Sequence, residues 1–267
     1  MKMWKGLFKK EWLLMKWGII ALVLLTVFIV LLGPVISSRI SGLPQDFFTN
    51  TLVIVGTLLI FNIFIGVGVL CTSLGDEMKR PDIWLHSPAS MLKLVVAKAL
   101  FAAAVTSSIQ LVGVGLLGIS YFSSDAIGTI SVSDAVLSLL SAFIALLLVS
   151  ILVMAIGFFF WSAYQVIRSR FGSLARFLTS ILFIVGISTG LALSDKLRNA
   201  GVYDAIRGFG PVKLTNAKFY NEYTSHLFTG IVPEGFSFSI GILLVASLLT
   251  VILFVAGSML FEKKVRL

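Results

Sequence analysis

Six long apolar runs, at about residues 18–36, 51–72, 95–120, 136–161, 174–193 and 238–261, leave this chain few ways to fold. A helix crossing a hydrocarbon core of about 30 Å needs roughly 20 predominantly apolar residues, and each run supplies close to that or more. The third and fourth are long enough to tilt. Every break between them carries charge, Pro, Asn or a Gly/Ser cluster. No run shows the alternation of a membrane β-barrel strand. Of the 267 residues, 58% are apolar and only 12% charged, too few to coat a soluble globule. A soluble enzyme or DNA-binding domain is thereby excluded. The expected fold is an all-α membrane protein of six transmembrane helices, a single transmembrane domain over residues 1–267. The first run lacks an obvious small-residue cleavage site and reads as an anchor that is retained.

Lysine and arginine positions give the expected orientation. One side collects Lys2, Lys5, Lys9, Lys10 and Lys16, then Lys79, Arg80, Lys93 and Lys98. Arg168, Arg170, Arg176, Lys263, Lys264 and Arg266 join them, making fifteen. The other side has six: Arg39, Lys196, Arg198, Arg207, Lys213 and Lys218. Both termini are therefore expected in the cytoplasm. Residues 194–237 then form the one large extracytoplasmic connection. The net charge of +9 is spread along membrane edges, where it sets topology, so no nucleic-acid partner is expected.

No Asp, Glu, Lys, Arg or His falls in the middle of a run. Gradient-driven carriers and intramembrane proteases need such groups at depth. His86, His226 and the single Cys71 make no convincing metal site, and no catalytic constellation is present. The polar residues at depth are mild: Thr57, Asn62, Thr106, Ser107, Ser108, Gln110, Ser180, Ser188 and Thr189. Two readings stand: hydrogen bonding between helices, or a substrate path lined by Asn62 and Gln110. Gly186 and Gly190 form a GxxxG pair, and Gly113, Gly115 and Gly118 a second small-residue patch.

Two segments on the cytoplasmic side carry a pattern. On a helical wheel, Met3, Trp4, Leu7, Phe8, Trp12, Leu14 and Met15 share one arc, with Lys2, Lys5, Lys9 and Lys16 opposite. Residues 1–17 thus read as an interfacial amphipathic helix, tryptophans at the headgroups and lysines toward anionic lipid. Glu11 falls inside the apolar arc: either it faces protein and pairs with a cation, or the helix ends near Lys10 and Glu11 is solvated. The second segment, 73–93, runs Asp76-Glu77, then Lys79-Arg80, then Pro81 and a short helix with Ile83, Trp84 and Leu85. Ser87 and Pro88 read as the cap and first turn of the next helix. A Trp- and Leu-bearing helix in the cytosol needs a cover, either lipid or a soluble partner.

Leu7-Phe8-Lys9-Lys10-Glu11-Trp12 before the first run resembles the membrane subunits of type-2 ABC exporters. So do Leu85-His86-Ser87-Pro88-Ala89-Ser90 with Val96-Ala97-Lys98, and the tail Phe261-Glu262-Lys263-Lys264-Val265. The topology agrees over the whole chain, the motifs over about 35 residues. The resemblance implies half a pore that pairs with a second six-helix subunit, identical or homologous. It implies two cytosolic ATPase subunits, met by a coupling helix between spans two and three. The implied contact falls on Glu11, Asp76, Glu77, Lys79, Arg80, Asp82, Ile83, Trp84, Leu85 and His86. Pro81 departs from the pattern by shortening that helix. Residues 194–237, with the Gly208-Phe209-Gly210-Pro211 break, would dip back into the outer leaflet.

The chain has no GxxxxGK[ST] loop, so ATP and Mg would be bound on the partner and this subunit would hold no cofactor. The implied activity is ATP-driven export of an amphipathic or hydrophobic substrate (peptide, antibiotic or lipid) across a bacterial-type plasma membrane. A gradient-driven carrier is one alternative. A non-transporting scaffold or sensor that docks a cytosolic partner is another.

Overall fold

The computed structural model describes residues 2–41, 47–79, 91–122, 132–209, 211–213 and 237–265. These residues are helical almost throughout. They form α1 (Lys2–Ser41), α2 (Phe47–Asn62), α3 (Ile65–Glu77), α4 (Met91–Phe122), α5 (Val132–Phe171), α6 (Ala175–Asn199), α7 (Val202–Gly208) and α8 (Ile240–Val265). A 3-10 turn, Gly172–Leu174, separates α5 from α6, and a short ribbon pairs Pro211–Lys213 (β1) with Ser237–Ser239 (β2). Among the described residues, five segments are long and apolar enough to cross a membrane: Gly6–Ile36, Ile54–Glu77, Leu92–Ser120, Leu139–Asn199 and Ile240–Glu262. This is the architecture of a multi-pass membrane protein. Six runs were expected and five segments are found, because the fourth extends over 61 residues and takes in most of α5, the 3-10 turn and α6.

The helices outrun the apolar runs. α1 is one rod of 40 residues, about 60 Å at 1.5 Å per residue, so no backbone break separates the amphipathic stretch from the first span. The separate interfacial helix expected over residues 1–17 is therefore the first part of a longer one. Gly6 and Gly18 interrupt nothing there, since helical backbone tolerates an isolated Gly at about 1 kcal/mol.

The second apolar run does break. The Ile63 amide donates to the Ile60 carbonyl at 3.3 Å and the Phe64 amide to Phe61 at 3.1 Å, turn bonds between two helical pieces. Membrane interiors tolerate such backbone only where protein or water satisfies it. These two bonds supply part of that.

The chain divides into two compact units. The first comprises Met1–Gly66, Phe101–Ser150 and Lys213–Ser237. Its core joins Val30 of α1, Val55 and Leu59 of α2, and Val114 of α4, with Leu139, Phe143 and Leu146 of α5 packed against them. Two glycines let helices close in. A Cβ on Gly33 would stand 3.1 Å from Ile54, and one on Gly113 would stand 3.0 Å from Leu59.

The second unit comprises Val67–Leu100, Ile151–Val212 and Phe238–Leu267. Aromatic rings tie its helices: Phe158 to Phe254 at 5.2 Å, Trp161 to Phe261 at 5.4 Å, and Phe160 edge-on to Phe183 at 5.0 Å. Beyond Ala175 the rest of α6 exposes nearly every side chain, including Phe177, Ile184 and Leu191. An apolar helix so exposed suits a lipid surround and not water.

At the α7–α8 joint, the Ser239 hydroxyl reaches the carbonyls of Ile206 at 2.8 Å and Phe209 at 3.1 Å, and the Gly241 amide donates to Phe209. The Phe209 amide also donates to Ile206 at 3.2 Å, so the carbonyls freed where α7 ends are closed from both sides of the joint. A Cβ on Gly241 would lie 2.2 Å from the Ile206 oxygen, which is main chain and cannot swing aside. Gly241→Ala is expected to destabilise the purified protein by about 1–3 kcal/mol, the usual cost of overpacking. Gly190→Ala, where a methyl meets open space, should be neutral or stabilising by about 0.5–1 kcal/mol. Denaturant titration in mixed micelles checks both.

Candidate functional site

The polar residues that sequence reasoning singled out separate into two places. The first is where α3 ends and α4 begins, on either side of residues 80–90. Asp76 and Glu77 are neighbours but turn to different partners. Asp76 bonds Lys79 at 2.7 Å, with side chains about half and three-quarters exposed. Glu77 turns inward to Lys98, Nζ to Oε1 3.2 Å, both nearly out of solvent. Lys98 Nζ also donates to the Ser73 hydroxyl. Ser73 and Glu77 are four residues apart and so share a helix face. The buried ammonium of Lys98 (4% exposed) thus joins the last turn of α3 to the second turn of α4.

Lys98 enters the sequence reading as one more topogenic charge, and neither it nor Ser73 was picked out as part of a site. A signal existed. Lys98 is a lone cation inside an apolar run, and an isolated charge there must find a counter-charge. Of the remaining predicted contact residues, Arg80, Asp82, Ile83, Trp84, Leu85 and His86 lie outside the described residues.

Glu11 is buried at 3% exposure and is not without a partner. It follows Phe8 by one helical turn, and the Phe8 ring meets Phe101 of α4 edge-on at 5.9 Å. The face of α1 bearing Phe8 and Glu11 therefore turns to protein. Trp12, Leu14 and Trp17 are exposed.

The second place is in the first unit. Gln110 is fully buried and its amide nitrogen donates to the Ser150 hydroxyl of α5 at 2.7 Å. Asn62, the last residue of α2, is buried beside the break in the second run. Most hydroxyls at depth bond back to their own helix. Thr106 donates to Ala102, Ser108 to Ala104, Ser180 to Arg176, and Ser188 and Thr189 to Val185. For these five the expected bonding between helices is bonding within one. The GxxxG pair is also divided, because a Cβ on Gly186 would meet Phe160 at 3.1 Å while Gly190 faces open space.

Among the described residues no three of His, Cys, Asp and Glu gather where they could hold a metal ion. What the first place offers is mechanical, a charged tie between two helices. In comparison with known proteins, the chain matches no family model, no curated protein and no solved structure.

Lys98→Met is expected to cost about 3 kcal/mol, because it removes one member of an ion pair held largely away from water. Lys98→Met combined with Glu77→Leu should recover most of that loss. Chemical denaturation of the three proteins checks the coupling, and strictly additive losses would show that the pair is not joined.

Proposed function

We propose that this chain is the membrane subunit of an ATP-driven exporter, powered by cytosolic ATPase subunits that press on residues 76–86. The observation that carries this reading is the Glu77–Lys98–Ser73 tie. It is a buried ionic clamp at the base of two helices whose apolar lengths, residues 65–75 and 99–122, carry no charge, so a force applied to the intervening segment would enter both together. The resemblance of the segments around Glu11, Asp76–His86 and Lys98 to type-2 ABC exporters supports the same assignment.

In this reading the chain crosses the membrane six times with both termini in the cytoplasm. The 61-residue fourth segment supports that count. It would be about 90 Å long as one helix, about three times the hydrocarbon core, so it crosses twice. The turn falls at Gly172, whose φ of +53° suits Gly, with Arg168, Arg170 and Arg176 around it. Two copies, or one copy and a sister subunit, would pair to form the outward path. Mg-ATP is bound on the partner, and lipids surround the pair. The cargo is amphipathic or hydrophobic, since no fixed charge at depth would hold an ion.

Cross-linking in native membranes followed by affinity capture tests the assignment. An ATPase with a phosphate-binding loop should be recovered, together with a second six-span subunit or another copy of this one. Asp76→Ala combined with Trp84→Ala should lower ATPase recovery at least tenfold and abolish stimulated turnover. Unchanged recovery with unchanged turnover would refute it.

A further inference from the structure

Beneath the apolar core of the first unit, four helices each bury a polar residue one turn further along. Val30 of α1 is followed at four residues' distance by Thr26, Leu59 of α2 at three by Asn62, Val114 of α4 at four by Gln110, and Leu146 of α5 at four by Ser150. All four polar residues are buried. Neighbouring helices run antiparallel: Gln110 reaches Ser150 while Gly118 meets Leu139, Gly113 meets Leu59 while Lys98 meets Glu77, and Gly33 meets Ile54 across a link of five residues. The sign of each step alternates with helix direction, so the four residues lie at one level. Asn62 continues the Val55–Leu59 stripe that faces Gly113, and Gln110 lies one turn from Gly113 on the opposing stripe.

Two members of this layer are satisfied. The Thr26 hydroxyl donates to Leu22 at 2.9 Å. Ser150 donates to Leu146 at 2.7 Å, so its oxygen is left to accept from Gln110. That bond fixes how the Gln110 amide is turned: Nε2 toward Ser150, Oε1 away from it. Gln110 Oε1 and Asn62 Nδ2 are both buried, and neither has a hydrogen-bond partner among the described residues. One is an acceptor and the other a donor. Leaving either bare forfeits the hydration it would have in water with nothing in return, and retaining both in a membrane bundle needs a reason.

We infer that Asn62 and Gln110 form a binding site for one neutral hydroxyl group, which accepts from Asn62 Nδ2 and donates to Gln110 Oε1. A hydroxyl has the required donor and acceptor on one atom. An ion does not fit, because residues 17–38, 47–75, 99–124 and 135–167 contain no charge to balance it. The hydroxyl is either water's or that of an amphiphile entering from the lipid. The site lies beside the broken backbone at Ile63–Phe64, where discontinuous membrane helices favour polar ligands. It is independent of any ATPase partner and stands or falls separately from the exporter reading.

A thermal double-mutant cycle on the full chain in lipid nanodiscs tests it, with Asn62→Leu, Gln110→Met and the pair. Each single change should lower Tm by several degrees, and the pair should fall no further than the worse single change. Singles that leave Tm unchanged or raise it, as removal of a bare buried amide would, overturn the proposal. So do losses that simply add. If Asn62→Leu does not accumulate, Asn62→Ala replaces it in the cycle. Titration with 1-hexanol against 1-chlorohexane, which lacks the donor, identifies the source. A rise in Tm with hexanol alone, present in the natural protein and absent in Asn62→Leu, supports an amphiphile's hydroxyl. A coupled cycle without that rise supports a resident water.

Discussion

A polar group carried into hydrocarbon must find its partner within the protein, because the surrounding lipid offers none. That constraint accounts for most of the hydrogen bonds at depth. Backbone groups are satisfied by long helices, and the threonine and serine hydroxyls largely by the carbonyl one turn back, as at Thr106 and Ser180. Back-bonding of this kind needs no neighbour and so fixes no helix pair. Pairs are fixed instead by side chains too long or too charged to satisfy themselves. Gln110 reaches Ser150, and Lys98 reaches Glu77 and Ser73. The packing adds shape: Gly113 against Leu59, and Gly157 so close to Val67 that a Cβ would stand 2.5 Å from it.

Some of this was legible in the sequence for physical reasons. Apolar runs are the direct image of the lipid they face, which is why helix existence and the sites of the connections could be read. The burial of Glu11 was legible as an exception, a carboxylate in an apolar arc. Helix ends were not, because helical hydrogen bonding does not stop where lipid does. α5 continues from Trp161 through Tyr164, Gln165 and Arg168 to Phe171. The break after Asn62 was also hidden, since neither Gly nor Pro stands at Ile63 or Phe64 to announce it. The Lys98 tie depends on which face of α4 meets α3, and no local periodicity encodes that. A glycine pair has the same weakness. Gly186 says that something can approach, and here that something is Phe160 of the same chain.

The adjacent acids Asp76 and Glu77 show how magnitude separates roles that sequence alone treats as one. An exposed ion pair such as Asp76–Lys79 is worth about 0–1 kcal/mol, so exchanging it for a partner's charges costs little. The Glu77–Lys98 pair is different in kind. Separating its members would strand a charge away from water at a cost of several kcal/mol, about 3–5 in measured cases. No surface contact readily repays that. Under the exporter reading, then, Asp76 and Lys79 belong to the recognition surface, where charges can be traded as partners bind and release. Glu77 belongs to the structure that carries the load, and a variant at Glu77 would disturb transmission even where docking survives. The two residues are neighbours in the chain, yet the roughly 100° of helix rotation between them separates a group that can let go from one that cannot.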